Sequence, residues 1–224
     1  MKRILFIIMV LLLATPAYGR KGNREGFNFG TSLRVMGGDD RTSSESSNDP
    51  NSSHIVSKSQ SVSPFVGYAF REFLNLGIAF HFEQSKSQIT DRNSDGTQET
   101  LRNQDTSLSG AGLFTRFLFA NVMFFEGGIG LYEQRTSTEI EQRNLSAGSI
   151  NGQRSESEQR GIGPGYHVGG GLELPVVSNF YFTASYLLRS YQQREYNASA
   201  QSVGGKRGVQ DRQELTFGIM HYYQ

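Results

Sequence analysis

The sequence predicts an all-β protein, an eight-stranded antiparallel up-and-down transmembrane β-barrel. Eight stretches alternate between apolar residues and polar residues or glycine, which is the period-two pattern of β-strands. The connections between them alternate between very short turns and segments of about twenty residues or more. Within each stretch the charged residues share the glycine-rich face, while the opposite face is nearly all apolar. This arrangement places charge inside the barrel and apolar side chains outside.

Residues 1–19 have the features of a secretory signal peptide. Two basic residues precede a ten-residue apolar run, Ile4–Leu13, which is too short to span a membrane as a helix. Cleavage is expected after Gly19, with Ala17 as the alternative. The remainder, 20–224, is predicted to form one barrel domain.

Composition excludes several other classes of protein. The formal charge of +1 and the charged fraction of 19% give no sign of a nucleic-acid partner. The chain has no cysteine, so disulfides do not stabilise it. The mean hydropathy of −0.45 is that of a soluble protein. Lipid-facing and lumen-facing residues alternate along a barrel strand, however, and this alternation dilutes the apolar signal.

The segment Ser109–Tyr132 shows the pattern most clearly. If its turn is centred on Asn121, Arg116 and Glu126 are direct cross-strand partners on the glycine-rich face. The opposite face of both arms is apolar or small. The hairpin therefore predicts an ion pair on the lumen side and an apolar surface on the other.

The other elements repeat this logic in chain order. Pro64 is awkward in a paired strand and predicts a bulge or an unpaired position. Short turns are predicted near Glu72, Asn121 and Val177 (over Pro175–Asn179). The predicted strands are 25–36, 62–70, 74–83, 109–119, 124–132, 163–174, 180–189 and 214–223. The polar segments predicted to be long loops are 37–60, 84–105, 133–160 and 191–211.

A soluble lipocalin-like barrel has the same number of strands, but it would place its apolar residues inside. The charges on the glycine-rich faces favour the membrane barrel. Aromatic residues near the short turns and the chain ends agree, since such a girdle is typical of a membrane–water interface. The girdle residues are Phe27, Phe70, Phe119, Phe125, Phe180 and Tyr223.

The chain resembles the small outer-membrane β-barrel family, of the OmpX type and the OmpA membrane-domain type. The residues that carry the resemblance are Gly112–Phe119, Glu126–Tyr132 and the last strand with its aromatic Tyr223, although Gln224 follows it. The resemblance implies a monomer in the outer membrane of a Gram-negative cell, with both termini periplasmic. It also implies contact with outer-membrane lipid and lipopolysaccharide, and insertion by the barrel assembly machinery.

The lumen charges predict a salt-bridged plug, because an eight-stranded barrel is only just wide enough for side chains to fill it. A narrow, porin-like channel lined by the same charges is the alternative. The residues of this charge network are Arg34, Glu83, Arg116, Glu126, Glu173, Arg189 and Glu214.

No motif gives strong support for catalysis or a cofactor. Asp91–Glu99 resembles half of a calcium loop but lacks the final glutamate. His81 and His167 lie on predicted lumen faces, far in sequence from any evident nucleophile, so an outer-membrane lipid-modifying enzyme is the weaker alternative. We expect a non-enzymatic barrel without cofactor or metal, which acts in structure or surface interaction through its four long polar segments.

Overall fold

The structure is a computed structural model, and it describes residues 24–43, 52–71, 73–92, 98–119, 121–144, 153–177, 179–197 and 202–223. The predicted signal peptide lies outside these ranges. The strands are β1 (Gly26–Ser43), β2 (Ser52–Arg71), β3 (Leu74–Arg92), β4 (Gln98–Phe119), β5 (Met123–Asn144), β6 (Gln153–Val177), β7 (Phe180–Asn197) and β8 (Ser202–Tyr223). Each pairs antiparallel with its neighbours, and β8 pairs with β1, which closes the barrel. The predicted fold class is confirmed. Within the described ranges no helix is long and apolar enough to cross a membrane.

The β4–β5 hairpin has the predicted register. Arg116 and Glu126 are direct partners, and Asn121 in the turn has φ of 63°. Asn tolerates this left-handed conformation better than most residues, so it is suited to the position. The two ends of the barrel are named here by their connections. The turn end carries the three short turns, and the hairpin end lies opposite.

The barrel is apolar outside and polar inside. Phe125, Ile129 and Leu131 on the outward face of β5 are 63%, 67% and 66% exposed, while the charged Glu173 and Glu214 are fully buried. A soluble barrel would show the reverse distribution, and an apolar surface of this extent is rare on soluble monomers. The lipocalin-like alternative is therefore wrong.

Glycines make room for large lumen side chains. A Cβ at Gly128 would collide with the ring of His167, and one at Gly110 would collide with the ring of Tyr132. Outward-facing Gly127 differs, since a Cβ there would meet only a backbone oxygen at 3.7 Å. The glycine-rich face is thus the crowded one, as expected of a filled eight-stranded barrel.

The prediction of four long loops is wrong for most of their length. All but the tips of 84–105 and 133–160 belong to strands β3 to β6, and the strands also extend into 37–60 and 191–211. Backbone pairing continues without an apolar face, because cross-strand polar and charged pairs can stabilise a sheet in water. A polar composition therefore indicated solvent on both faces, and not the absence of strands.

Two smaller expectations, on the start of β6 and on the last short turn, also need correction, and the structure decides between the two alternatives for Pro64. β6 begins at Gln153, ten residues before the predicted start, and it continues through Pro175 with a register shift before Val177. The short turn therefore comes only after Val177. At Pro64 the pairing with β3 lapses and resumes in the same register beyond it. Pro64 still pairs with Thr31 of β1, so it is unpaired on the β3 side alone. Of the two predicted alternatives, the structure shows the unpaired position and not the bulge.

The seam between β1 and β8 is shorter than the other ladders. It runs from Phe27 opposite Tyr223 to Leu33 opposite Phe217, whereas β1 pairs with β2 along its whole length. The strand closure is thus confined to the turn-end part of the barrel. Above Leu33, the described strand edges of β1 and β8 face each other without ladder pairing.

Candidate functional site

The lumen charges form two layers that follow from the alternation of the strands. The lower cluster, near the turn end, consists of Arg24, Arg116, Glu126, Glu173 and Tyr222. The upper cluster, nearer the middle of the strands, consists of Arg34, Glu83, Arg189, Arg212 and Glu214. All seven charged residues predicted for the lumen lie in one of these two clusters.

In the lower cluster Arg116 is the centre. Its Nη2 and Nε donate to Glu126 Oε2 at 2.6 and 2.9 Å, and its Nη1 lies 3.5 Å from Glu173 Oε2. Arg24 Nε lies 3.3 Å from Glu173 Oε1, and the Tyr222 hydroxyl donates to the same oxygen at 3.2 Å. Each buried carboxylate therefore has at least one arginine partner, which offsets the cost of removing it from water.

Aromatic rings pack around these cations. The Arg116 guanidinium carbon lies 4.2 Å from the centre of the Phe124 ring, and that of Arg24 lies 4.6 Å from the Tyr181 ring. Phe124 is 1% exposed. These contacts fill the space beside the ion pairs and add cation–π attraction. The lower cluster therefore closes the lumen with both charged and apolar groups.

The upper cluster is a chain of alternating charges. Arg34 Nη1 donates to Glu214 Oε1 at 2.7 Å, and its Nη2 lies 2.8 Å from Glu83 Oε1. Glu83 also accepts from Arg212, and Glu214 Oε2 lies 3.2 Å from Arg189 Nε. Because Arg34 lies on β1 and Glu214 on β8, this ion pair bridges the seam just above the last paired residues.

A small cavity lies between the two clusters. Its volume is about 40 Å³, and its lining includes Arg116, Glu126, His81, His167 and Arg189. This space holds about three water molecules. It is far too small for an acyl chain or a sugar. Arg116 and Glu126 of the lower cluster and Arg189 of the upper cluster all border this space, so the two clusters leave little room between them.

A serine, a histidine and a glutamate line up beside this cavity. The Ser63 hydroxyl lies 2.7 Å from His81 Nδ1, and His81 Nε2 lies 3.4 Å from Glu83 Oε2. Sequence reasoning did not find a serine for His81, because Ser63 comes from the neighbouring strand. Such a relay can activate a serine for nucleophilic attack. Here it faces the lumen, where the cavity has no room for a substrate, and Glu83 is already held by two arginines.

His167, the other lumen histidine, also lies beside a lumen glutamate. His167 Nε2 lies 3.2 Å from Glu126 Oε1, so it completes the surroundings of that carboxylate. Sequence reasoning placed both histidines correctly on the lumen face but missed Arg24 and Arg212. Arg24 precedes the predicted first strand, and Arg212 falls between the predicted loop 191–211 and the predicted strand 214–223. The signal that could have found Arg212 is its place two residues before Glu214, on the same strand face.

The six aromatic residues predicted for the girdle are all exposed and lie at the turn end. Phe119 stacks on Phe125 with ring centres 5.1 Å apart, and Phe180 lies 4.3 Å from the His221 ring. Tyr223 lies beside Phe27 across the seam. The rings thus form neighbouring contacts around part of the circumference, in keeping with an interfacial belt.

Above the apolar belt the strands carry ion pairs that are only partly buried. Arg92 and Glu99 are direct partners with Nε and Oε2 3.0 Å apart. Arg143 donates twice to Glu141, at 2.9 and 3.1 Å, and this hydrogen bonding lowers the pKa of the Glu141 carboxyl. No group of three or more metal-binding side chains occurs within the described ranges, and the tip of the calcium-like motif falls outside them.

Comparisons with known proteins add matches among solved structures. Neisserial surface protein A matches at 16% identity, over 88% of this chain and 96% of that one, with a TM-score of 0.41. The transport unit of the autotransporter AIDA-I from Escherichia coli matches at 11% identity, over 95% and 70%, with a TM-score of 0.42. The translocator domain of the autotransporter NalP from Neisseria meningitidis matches at 10% identity, over 99% and 97%, with a TM-score of 0.40.

No protein-family model and no curated protein matches the chain. The assignment of the fold depends on the geometry of the chain itself. Eight antiparallel strands close a barrel with an apolar exterior and a lumen crossed by buried ion pairs. This is the architecture of an outer-membrane β-barrel protein.

Proposed function

We propose that the chain is an outer-membrane scaffold with a closed lumen, which anchors four long β-hairpin extensions and presents them outside the cell. The observation that carries this proposal is the pair of charge clusters. Together they fill the lumen and leave a cavity of only about 40 Å³ between them. A barrel that is filled in this way is an anchor and not a conduit.

The extensions support a role in surface interaction. Beyond the last outward apolar residue of β5, Leu131, the strand continues for thirteen residues to Asn144. At about 3.3 Å per residue such strands stand well above a bilayer. Their paired backbones hold charged side chains in fixed positions, so they can offer a defined surface to a partner. Lipopolysaccharide and outer-membrane lipid surround the barrel below them.

Single-cysteine labelling tests the location and the orientation of the barrel. The sequence has no native cysteine, so only the introduced thiol can react. Ser137→Cys, on an extension, should react with a membrane-impermeant maleimide on intact cells. Asn179→Cys, in a short turn, should react only after permeabilisation. Ile129→Cys, on the apolar belt, should react poorly in both conditions. Labelling of Asn179→Cys on intact cells would contradict the proposed orientation.

The proposal leaves no role for catalysis. The Ser63–His81–Glu83 relay would need an opening large enough to admit a lipid, and the lumen cavity is too small for one. Exchange of Ser63 for alanine should therefore leave the acylation pattern of outer-membrane lipid A unchanged, as measured by mass spectrometry. A changed pattern would favour the lipid-modifying enzyme instead.

A further inference from the structure

We propose that the outward face of β1 to β5 holds a phosphate-bearing membrane lipid in a groove at the upper edge of the apolar belt. The acyl chain lies along Val62 and Phe82, and the phosphate lies between Lys58 and Lys86. This inference depends on the membrane location proposed above, and it names one specific binding site on that surface.

The groove consists of two neighbouring concavities. The lower one, of about 550 Å³, includes Leu33, Val62 and Phe82 together with Ser107 and Ser109. The upper one, of about 450 Å³, includes Lys58, Lys86 and Asp105. Their volumes are typical of sites for small ligands. The groove is therefore apolar at one end and charged at the other.

The strand register places the two concavities one above the other on the same face of β2 and β3. Val62 lies opposite Phe82, and two residues higher on each strand Gln60 lies opposite Gln84. Two residues higher again, Lys58 lies opposite Lys86. The small residues Ser107 and Ser109 of β4 form the floor next to these rows. An extended molecule can therefore lie along the strands from the apolar end to the charged end.

At the charged end two lysines face one carboxylate that no arginine holds, Asp105. Lys58 and Lys86 are direct cross-strand partners, an arrangement that destabilises a sheet when nothing neutralises it. Lys86 Nζ lies 3.3 Å from Asp105 Oδ2, but both side chains are largely exposed. Among the described side chains no carboxylate lies within ion-pair distance of Lys58. One further negative group between the two ammonium groups would remove the repulsion.

The neighbouring charges do not fill this role. Glu139, which also lines the upper concavity, is held by Arg154 at 2.9 Å. Arg135, at the edge of the lower concavity, is paired with Glu133 at 2.8 Å. Asp105 pairs with Lys86, so Lys58 is the lysine of the upper concavity without an ion pair among the described side chains, and a ligand phosphate would lie between it and the Lys86–Asp105 pair.

The height of the lysines fits a lipid headgroup. Lys58 stands four residues beyond Val62, which is about 10 Å along the membrane normal for a tilted strand. The polar layer of a bilayer begins at the edge of the apolar belt, and a lysine stem can bend back toward it. A free phosphate would use only the charged end, whereas a lipid uses both ends of the groove.

Native mass spectrometry of the full barrel in a non-ionic detergent tests the site. Phosphatidic acid, which carries an exposed phosphate, is compared with phosphatidylcholine of the same acyl chains. The wild type should bind phosphatidic acid at least about tenfold more tightly. Lys58→Gln/Lys86→Gln should lose at least about tenfold in affinity for phosphatidic acid, since both substitutions remove a cation that attracts the anionic headgroup.

Matched variants distinguish binding at this groove from the effect of the overall charge of the barrel. Arg92→Gln/Arg143→Gln also removes two positive charges, but at positions higher on the strands, and it should leave the affinity for phosphatidic acid unchanged. Ser109→Phe fills the groove floor without changing charge and should weaken binding. Equal losses in the two charge variants, no preference in the wild type, or displacement of the lipid by equimolar inorganic phosphate would overturn the proposal.

The heat-dependent gel mobility of the barrel shows whether each variant is folded. Failure of this proposal is distinguishable from failure of the proposed function. If the cysteine labels confirm the orientation while the lysine variants bind lipid as the wild type does, only the groove is wrong. If the labels place the barrel elsewhere, the membrane location itself is wrong.

Discussion

The belt half and the extended half of the barrel use the same eight strands but place charge in opposite ways. In the belt half, charges such as Glu173 and Glu214 are fully buried in the lumen, and each has an arginine partner. In the extended half, pairs such as Arg160 with Glu158, whose Nε and Oε1 lie 3.4 Å apart, stand in solvent. The same ladder of backbone hydrogen bonds therefore supports a charged core in one half and a charged surface in the other.

The two halves differ in the surroundings of their charged side chains and not in how many charged side chains they carry. A buried carboxylate that loses its only arginine is left uncompensated in a poorly solvated place, which is strongly destabilising. An exposed carboxylate that loses its partner is solvated by water instead, so the free energy of unfolding falls only a little. Substitutions should thus fall into a graded series that follows burial and the number of remaining partners.

The largest effect is expected for Arg116→Ala. Among the described residues it removes the one arginine within ion-pair distance of Glu126, which keeps His167 beside it, while Glu173 keeps Arg24. The free energy of unfolding in lipid vesicles should fall by about 3–5 kcal/mol. Arg116→Ala/Glu126→Ala should recover part of this loss, because no uncompensated charge remains. Additive losses in urea titrations would show that the two residues do not interact.

A smaller effect is expected for Arg34→Ala in the upper cluster. Glu83 keeps Arg212 and Glu214 keeps Arg189, so no carboxylate is left alone. The loss should be about 1.5–3 kcal/mol, as for a hydrogen bond to a charged group. The same urea titration measures it. A loss as large as that of Arg116→Ala would mean that the bridge across the seam matters more than the number of partners.

Substitutions at two adjacent glycines of β5 compare how tightly side chains pack on the lumen face and on the lipid face. Gly128→Val should cost about 1–3 kcal/mol, because its side chain would collide with His167. Gly127→Val points outward and should cost much less. The difference in urea midpoint between the two variants gives the result. Similar costs for both would contradict the assignment of the crowded face to the lumen.

The smallest effect is expected in the extended half. Arg160→Ala removes the exposed ion pair with Glu158 and should change the free energy of unfolding by less than about 1 kcal/mol. High salt should reduce even that difference, because exposed charges are screened. Unfolding curves at low and high salt check this. A loss comparable to that of Arg34→Ala would mean that the extensions are stabilised like the belt.

The sequence predicted the belt half well, because alternation with one apolar face is a strong signal. The register of Arg116 with Glu126 followed from a single turn at Asn121. The extended half carries no apolar face, so its strands were mistaken for loops. Arg24 and Arg212 were missed since they lay outside the predicted strands. The pairing of Ser63 with His81 could not be predicted, because it depends on which residues of neighbouring strands meet.

Conductance in planar lipid bilayers tests the closed lumen most directly. The purified wild-type barrel should insert without steady openings, because the two clusters leave only a cavity of about 40 Å³ between them. Arg116→Ala, if it remains folded, should show at least transient openings as the lower cluster loosens. Steady ion-conducting openings of the folded wild type would contradict the filled lumen and favour the narrow channel.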